Sequence, residues 1–184
     1  MRSNALLGVA AVAASVGIFI RAAPPGGEGA SGAARTAPEF QGIDQWLNSP
    51  PLTLQDLRGK AVLVDFWSCT CINCLDHLPH VKEWNSRYKK MGLAVVGVHT
   101  PELACGQAAK NVQEAVDRLQ IEHPVALDNR CATWKAFDGR CRPSVHLIDP
   151  QGKIVYSHFG DGSYGAIEQK IRALLAGQAP AASV

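Results

Sequence analysis

Residues 61–79 read AVLVDFWSCTCINCLDHLP, and the order of residue types in this stretch decides the fold. Ala61 to Trp67 is a nearly continuous apolar run of strand length, the pattern of a strand buried on both faces of a sheet. From Cys71 the apolar positions change to helical spacing, with Leu75, Leu78, Val81, Trp84 and Tyr88 leading to Met91 and Gly92 as the stop. Pro79 is expected to kink this helix, since it removes one intrahelical hydrogen bond. A buried strand therefore runs into a helix, and Cys71-Ile72-Asn73-Cys74 stands at the junction.

Downstream, Leu93 to His99 (LAVVGVH) repeats the buried-strand pattern, Gln107 to Leu119 reads as a helix, Val125 to Leu127 as a short strand and Asn129 to Phe137 as a short helix. Ser144 to Asp149 and Lys153 to Phe159 flank Pro150-Gln151-Gly152 as a hairpin. Ser163 to Leu175 closes the fold as a helix, with Ser163 a candidate N-cap. Upstream, Asn48 to Pro51 is a turn, and Leu52 to Arg58 is expected as a short strand and one helical turn before Gly59. The order βαβαβαββα calls for a parallel core extended by an antiparallel hairpin, an α/β fold whose central mixed sheet is flanked by helices.

The N-terminus reads differently. Arg2 precedes an uncharged run, Ala5 to Ile20 (ALLGVAAVAASVGIFI), followed by Arg21 and an Ala-, Pro- and Gly-rich stretch. Its length lies between a signal-peptide core and the roughly 20 residues of a spanning helix. Residues 1–22 are thus expected as a signal peptide or N-terminal membrane anchor, 23–38 as a linker, 39–178 as the working domain and 179–184 as a disordered tail. An exported chain works outside the cytoplasm, where cysteine pairs persist. Lys plus Arg number 18 against 16 Asp plus Glu, a net charge of +2 that offers no field for nucleic acid.

Cysteine carries the chemistry. A sulfur at a helix start faces unsatisfied N–H groups and the positive end of the helix dipole, which favour thiolate over thiol. Cys71 is therefore the expected nucleophile. Cys74, one turn on and on the same side, can resolve the mixed disulfide that Cys71 forms.

Val64-Asp65-Phe66-Trp67 followed by Cys71, Cys74 and Pro79 resembles the active-site region of thioredoxin, and the fuller stretch is similar to the exported TlpA and ResA type thiol-disulfide oxidoreductases. Leu57-Arg58-Gly59-Lys60, the Cys71–Cys74 motif, Gly97-Val98-His99-Thr100-Pro101-Glu102 and Pro124-Val125-Ala126-Leu127-Asp128-Asn129 resemble the thioredoxin-like domain of DipZ-type proteins. The resemblance, over about residues 39–175, implies a thioredoxin fold with an inserted αβ unit and no cofactor. It implies that Asp65 is the buried carboxylate that relays a proton to and from the resolving cysteine, that Trp67 packs beside the pair, and that Pro143 is the cis-proline against the nucleophile. Trp67, Ile72, Asn73, Arg142 and Pro143 then form the expected substrate-binding set. Arg142 departs from the family, which often has an aromatic residue there, and the transmembrane electron-transfer unit of DipZ-type chains is not expected as part of this chain. The partners implied are proteins with disulfides or thiols and a separate membrane electron donor, with cytochrome c maturation or envelope thiol repair as the setting, and the inner membrane itself if the N-terminal segment is uncleaved.

Four cysteines are left over. Cys69 and Cys141 are expected at the rim of the site as auxiliary thiols, while Cys105 and Cys131 are the preferred structural disulfide among three possible pairings. A second reading makes Cys69, Cys71 and Cys74, with His77 and His80 nearby, a copper site of a metallochaperone-like protein, although strand end, helix start and helix rarely converge. His77 and His80 are expected as exposed helix residues, and His99, His123, His146 and His158 as structural. A third reading, a thiol peroxidase, is disfavoured by the closely spaced pair.

Overall fold

The structure, a computed structural model, describes residues 35–102 and 107–177. The expected export segment, the tail from 178 and Cys105 lie outside the described residues. Along those residues the elements are β1 (Arg35–Thr36), β2 (Gln45–Leu47), β3 (Ala61–Trp67), α1 (Ile72–Tyr88), β4 (Leu93–His99), α2 (Ala109–Arg118), β5 (Val125–Leu127), α3 (Ala132–Ala136), β6 (Ser144–Ile148), β7 (Lys153–Phe159) and α4 (Tyr164–Ala176). They form one mixed sheet in the order β1-β7-β6-β3-β4-β5-β2. β3, β4 and β5 are parallel, and β6, β7 and the two edge strands run antiparallel to their neighbours.

All seven residues of β3 are buried, as its apolar run requires of a strand covered on both faces. One face carries Ala61 and Leu63 into a cluster with Val81, Trp84 and Tyr88 of α1 and Ile167 and Ile171 of α4. The other carries Val62, Val64 and Phe66 into a cluster with Val96, Val98, Ala126 and Phe137. A third cluster joins Trp67, Cys74 and Leu78 to Val112 and Val116 of α2. Burial of these side chains contributes on the order of 2 kcal/mol each, which fixes β3 and α1 relative to one another.

Several local expectations are corrected. Leu52 to Arg58 holds no strand. Thr53 and Asp56 bond each other reciprocally, Thr53 N–H to Asp56 Oδ2 at 2.9 Å and Asp56 N–H to Thr53 Oγ1 at 3.1 Å, a capping arrangement that commits residues 54–59 to a turn. α1, with Pro79 inside it as expected, ends at Tyr88 rather than Met91, and Lys89–Met91 tightens into a 3-10 turn closed by Gly92 at φ 102°. Ser163 holds the N-cap position, but at φ 56° its side chain makes no capping bond. The edge strands β1 and β2 carry little periodicity of their own and form because β7 and β5 offer open edges.

Candidate active site

The site lies where β3 passes into α1. Cys71 holds the N-cap of α1 with extended backbone, φ −95° and ψ 114°, and its Sγ accepts the backbone N–H of Cys74 at 3.3 Å. The sulfur takes the place of a capping oxygen, so the positive end of the helix faces the atom that carries charge as a thiolate. Opposite, the Arg142–Pro143 peptide is cis, and the Arg142 carbonyl lies 3.8 Å from Cys71 Sγ, within reach of the S–H. Ile72 is 75% exposed and Asn73 is exposed as well, so the nucleophile has an open apolar and polar rim.

Beneath it Cys74 is buried. Burial pushes its thiol well up, and the neighbouring Cys71 sulfur and the negative charge of Asp65 push the same way. Asp65 is 1% exposed, and its Oδ1 lies 3.5 Å from Nε2 of His77, equally buried on α1. That distance suits an ion pair but is too long for a strong hydrogen bond, and neither atom has another partner. His77 is thus the reverse of the exposed residue expected. Its signal was present in the sequence: Cys74, His77, Leu78 and Val81 recur at helical spacing, so His77 shares the buried face of α1 with Cys74.

Two further histidines line the chamber. Across the sheet, Asp65 is in register with Gly97, and a Cβ built on Gly97 would stand 3.1 Å from Trp67 Nε1 and 3.2 Å from His123 Nε2. The bare glycine therefore leaves room for both rings beside the carboxylate. Burial holds His123 down at about 4, the Lys82 charge adding to the effect and Asp65 opposing it. His99, edge-on to Trp67 at 5.1 Å, accepts the Cys69 N–H through Nε2 at 3.2 Å. Burial, helped by the Arg142 charge, holds it at about 4.

The structure brings together Cys71, Cys74, Asp65, Trp67, Arg142 and Pro143. The Arg142 guanidinium turns aside, 4.7 Å over the Trp134 ring and 3.6 Å from Glu102. Cys69 packs against the Trp67 cluster, Cys141 is exposed next to Arg142, and Cys131 occupies the N-cap position of α3 at φ 55°. The expected Cys105–Cys131 bridge falls partly outside the described residues. The ligand set of the copper reading is divided: His77 turns inward to Asp65, while His80 stacks on Tyr164 at 3.7 Å. Among the described residues no group of three or more His, Cys, Asp or Glu side chains is arranged to hold a metal ion.

The chain that carries this arrangement is similar to known proteins. The model of the AhpC/TSA family matches residues 33–157. The chain is 47% identical over 143 residues to Protein DipZ of Mycobacterium tuberculosis, covering 76% of this chain but only 21% of DipZ. It is 30% identical over 125 residues to the thiol-disulfide oxidoreductase ResA of Halalkalibacterium halodurans, covering 67% of each. The crystal structure of a thioredoxin-like superfamily protein matches with a TM-score of 0.73 at 31% identity, over 82% of this chain and 100% of the other.

Proposed function

Because the chain belongs to the AhpC/TSA family of thioredoxin-fold proteins, and its relatives include thiol-disulfide oxidoreductases, we propose that it exchanges disulfides with protein partners outside the cytoplasm, as a reductant. The observation that carries this reading is the contrast within the pair: Cys71 Sγ caps a helix beside the Arg142 carbonyl, and Cys74 is buried one turn below.

In the reducing direction the Cys71 thiolate attacks a client disulfide, and one client sulfur leaves as thiolate. Cys74 then gives up its proton and attacks Cys71 Sγ, so the intramolecular disulfide forms as the second client sulfur departs. Two electrons pass from the pair to the client, and a membrane donor restores the dithiol. Asp65 is the group beneath Cys74 suited to take its proton. The exposed Ile72 and Asn73, with the Arg142 carbonyl, supply an apolar contact and a backbone acceptor for an extended client segment. The uncharged run of residues 5–20 supports export, with cleavage and anchoring as its two outcomes. No helix of the described residues is long and apolar enough to cross a membrane. Cytochrome c maturation or envelope thiol repair is the setting that fits.

Equilibration of the chain in graded thiol buffers, with alkylated cysteines mapped by mass spectrometry, tests the reading. A Cys71–Cys74 potential near or below about −270 mV fits a reductant, and one near about −120 mV would make the protein an oxidant. Cys71→Ser should abolish exchange and Cys74→Ser should trap clients as mixed disulfides. Turnover in Cys71→Ser at the rate of the unchanged protein would overturn the assignment.

A further inference from the structure

The geometry points to His77 as the residue that takes up the proton Asp65 receives from Cys74, so that carboxylate and imidazole act as one proton-holding unit beneath the disulfide. This rests on the reading of Cys71 and Cys74 as the redox pair with Asp65 as the acceptor for Cys74.

Position comes first. Cys74 and His77 stand three residues apart on one helix face, and Asp65 Oδ1 lies 3.5 Å from His77 Nε2 with both side chains 1% exposed. Neither His77 nitrogen has a hydrogen-bond partner, so Nε2, the atom that faces Asp65, has a lone pair or proton position open to accept and hold a proton. The His77 ring lies 5.6 Å from that of Tyr164, which in turn stacks on the half-buried His80.

Other elements complete the surroundings. His158 of β7 shares with Asp65 a lateral row, His158–Val145–Asp65–Gly97, and feels the charge of His77. Tyr164 faces the ring from α4 and bonds Asp161. Cys74, His80 and Lys82 share the helix of His77, while His123 stands beside Gly97, the residue in register with Asp65 on β4. Of these, Asp65 is the group within ion-pair distance of the ring.

The charge balance explains why a base is needed there. An isolated carboxylate beside Cys74 opposes thiolate formation, because two negative charges would then share a desolvated space. With His77 as the final proton holder, Cys74 ionises beside a neutral carboxylate–imidazolium pair. During resolution the Cys74 proton goes to Asp65 and on to His77 Nε2. The Cys74–Cys71 S–S bond forms as the Cys71–client bond breaks, and the electron pair leaves on the client sulfur. When a donor dithiol re-reduces the pair, the proton returns to Cys74.

The test uses the full chain with glutathione disulfide as client, acid-quenched and mapped by mass spectrometry, so that the Cys71–glutathione adduct and the Cys71–Cys74 disulfide are counted separately across pH. His77→Gln keeps a polar side chain that cannot take a proton. It should form the adduct at the normal rate, resolve it about tenfold more slowly at pH 6, and shift the acid limb of the resolution profile to higher pH. A His77→Gln profile that superimposes on that of the unchanged protein overturns the proposal. Asp65→Asn separates the two readings. If it slows resolution while His77→Gln does not, only the role of His77 fails, and if neither slows it, the Asp65 reading fails as well. Should the His77 variant not fold, the 15N shifts of the His77 ring in the unchanged protein decide. A protonation state that differs between dithiol and disulfide forms supports the proposal, and a ring equally neutral in both overturns it.

Discussion

The two faces of β3 are built from one strand and put to different uses. Val62, Val64 and Phe66 point to a side packed with Val96, Val98, Ala126 and Phe137, where His146 is the buried polar ring, bonded to Ser157 at 2.8 Å and edged by Phe66 and Phe137. Ala61, Leu63, Asp65 and Trp67 point to the other. There the packing is apolar at the start of the strand and turns polar at its end, with His77, His99 and His123 around Asp65 and Trp67. The first face holds the strand in place. The second places uncompensated polar groups, Asp65 Oδ1, Trp67 Nε1 and both nitrogens of His77 and of His123, next to the sulfur pair. Such groups cost stability when buried; the first face also carries His146 Nε2 and Trp134 Nε1, but the second gathers its own beside the sulfur pair, where chemistry outweighs packing.

Acid should break this contrast most forcefully. His99, His123 and His146 each titrate at about 4 in the folded protein, against about 6.5 in an unfolded chain. The unfolded chain therefore binds more protons between those values, and the stability present above pH 6.5 is lost as pH falls toward 4. From pH 6.5 to pH 5 each ring costs about 2 kcal/mol, on the order of 6 kcal/mol together. Urea unfolding at pH 7 and pH 5 measures the loss. Unchanged midpoints would mean that the three rings are not neutral in the folded state.

Substitutions on the two faces should separate stability from chemistry. Phe66→Ala empties space in the apolar face and should cost about 3–5 kcal/mol, while the fraction that remains folded exchanges disulfides at the normal rate. Asp65→Asn keeps the shape and should change stability by less than about 1 kcal/mol, yet slow resolution of the mixed disulfide about a hundredfold, a barrier of about 2.7 kcal/mol. Denaturant curves read alongside single-turnover exchange check both. Equal losses of stability from the two substitutions would erase the distinction between the faces.

How much of this could be read from sequence follows from the range of the signals. β3, α1 and the Cys71–Cys74 junction are local patterns: an apolar run, a helical repeat and two thiols at a helix start. They survive translation into structure almost unchanged. The place of His77 was also legible, because Cys74, His77, Leu78 and Val81 lie on one helical face, but a histidine is polar enough to be assigned to solvent unless a partner is known to wait inside. That partner belongs to another element, as do His123 and the space beside Gly97. Only the pairing of β3 with β4 brings them together. The edge strands were hidden for the same reason, since Arg35–Thr36 and Gln45–Leu47 acquire their form from β7 and β5.

Gly97 offers the finest adjustment of the comparison. It sits in β4 in register with Asp65, on the polar face, and β4 takes no turn or positive φ at that point that would require glycine. The reason for glycine is space. An alanine Cβ would stand 3.1 Å from Trp67 Nε1 and 3.2 Å from His123 Nε2, so both rings would have to give way by a few tenths of an ångström. Overpacking of this kind should cost about 1 kcal/mol, a fall of about 3 °C in Tm. Because the rings that move flank Asp65 and Cys74, Gly97→Ala should also slow resolution severalfold while leaving the first attack by Cys71 unchanged. Calorimetry and quenched exchange read the two effects. A lower Tm with unaltered resolution would show that the open space beside the carboxylate serves packing and that the proton leaves by the His77 side of Asp65.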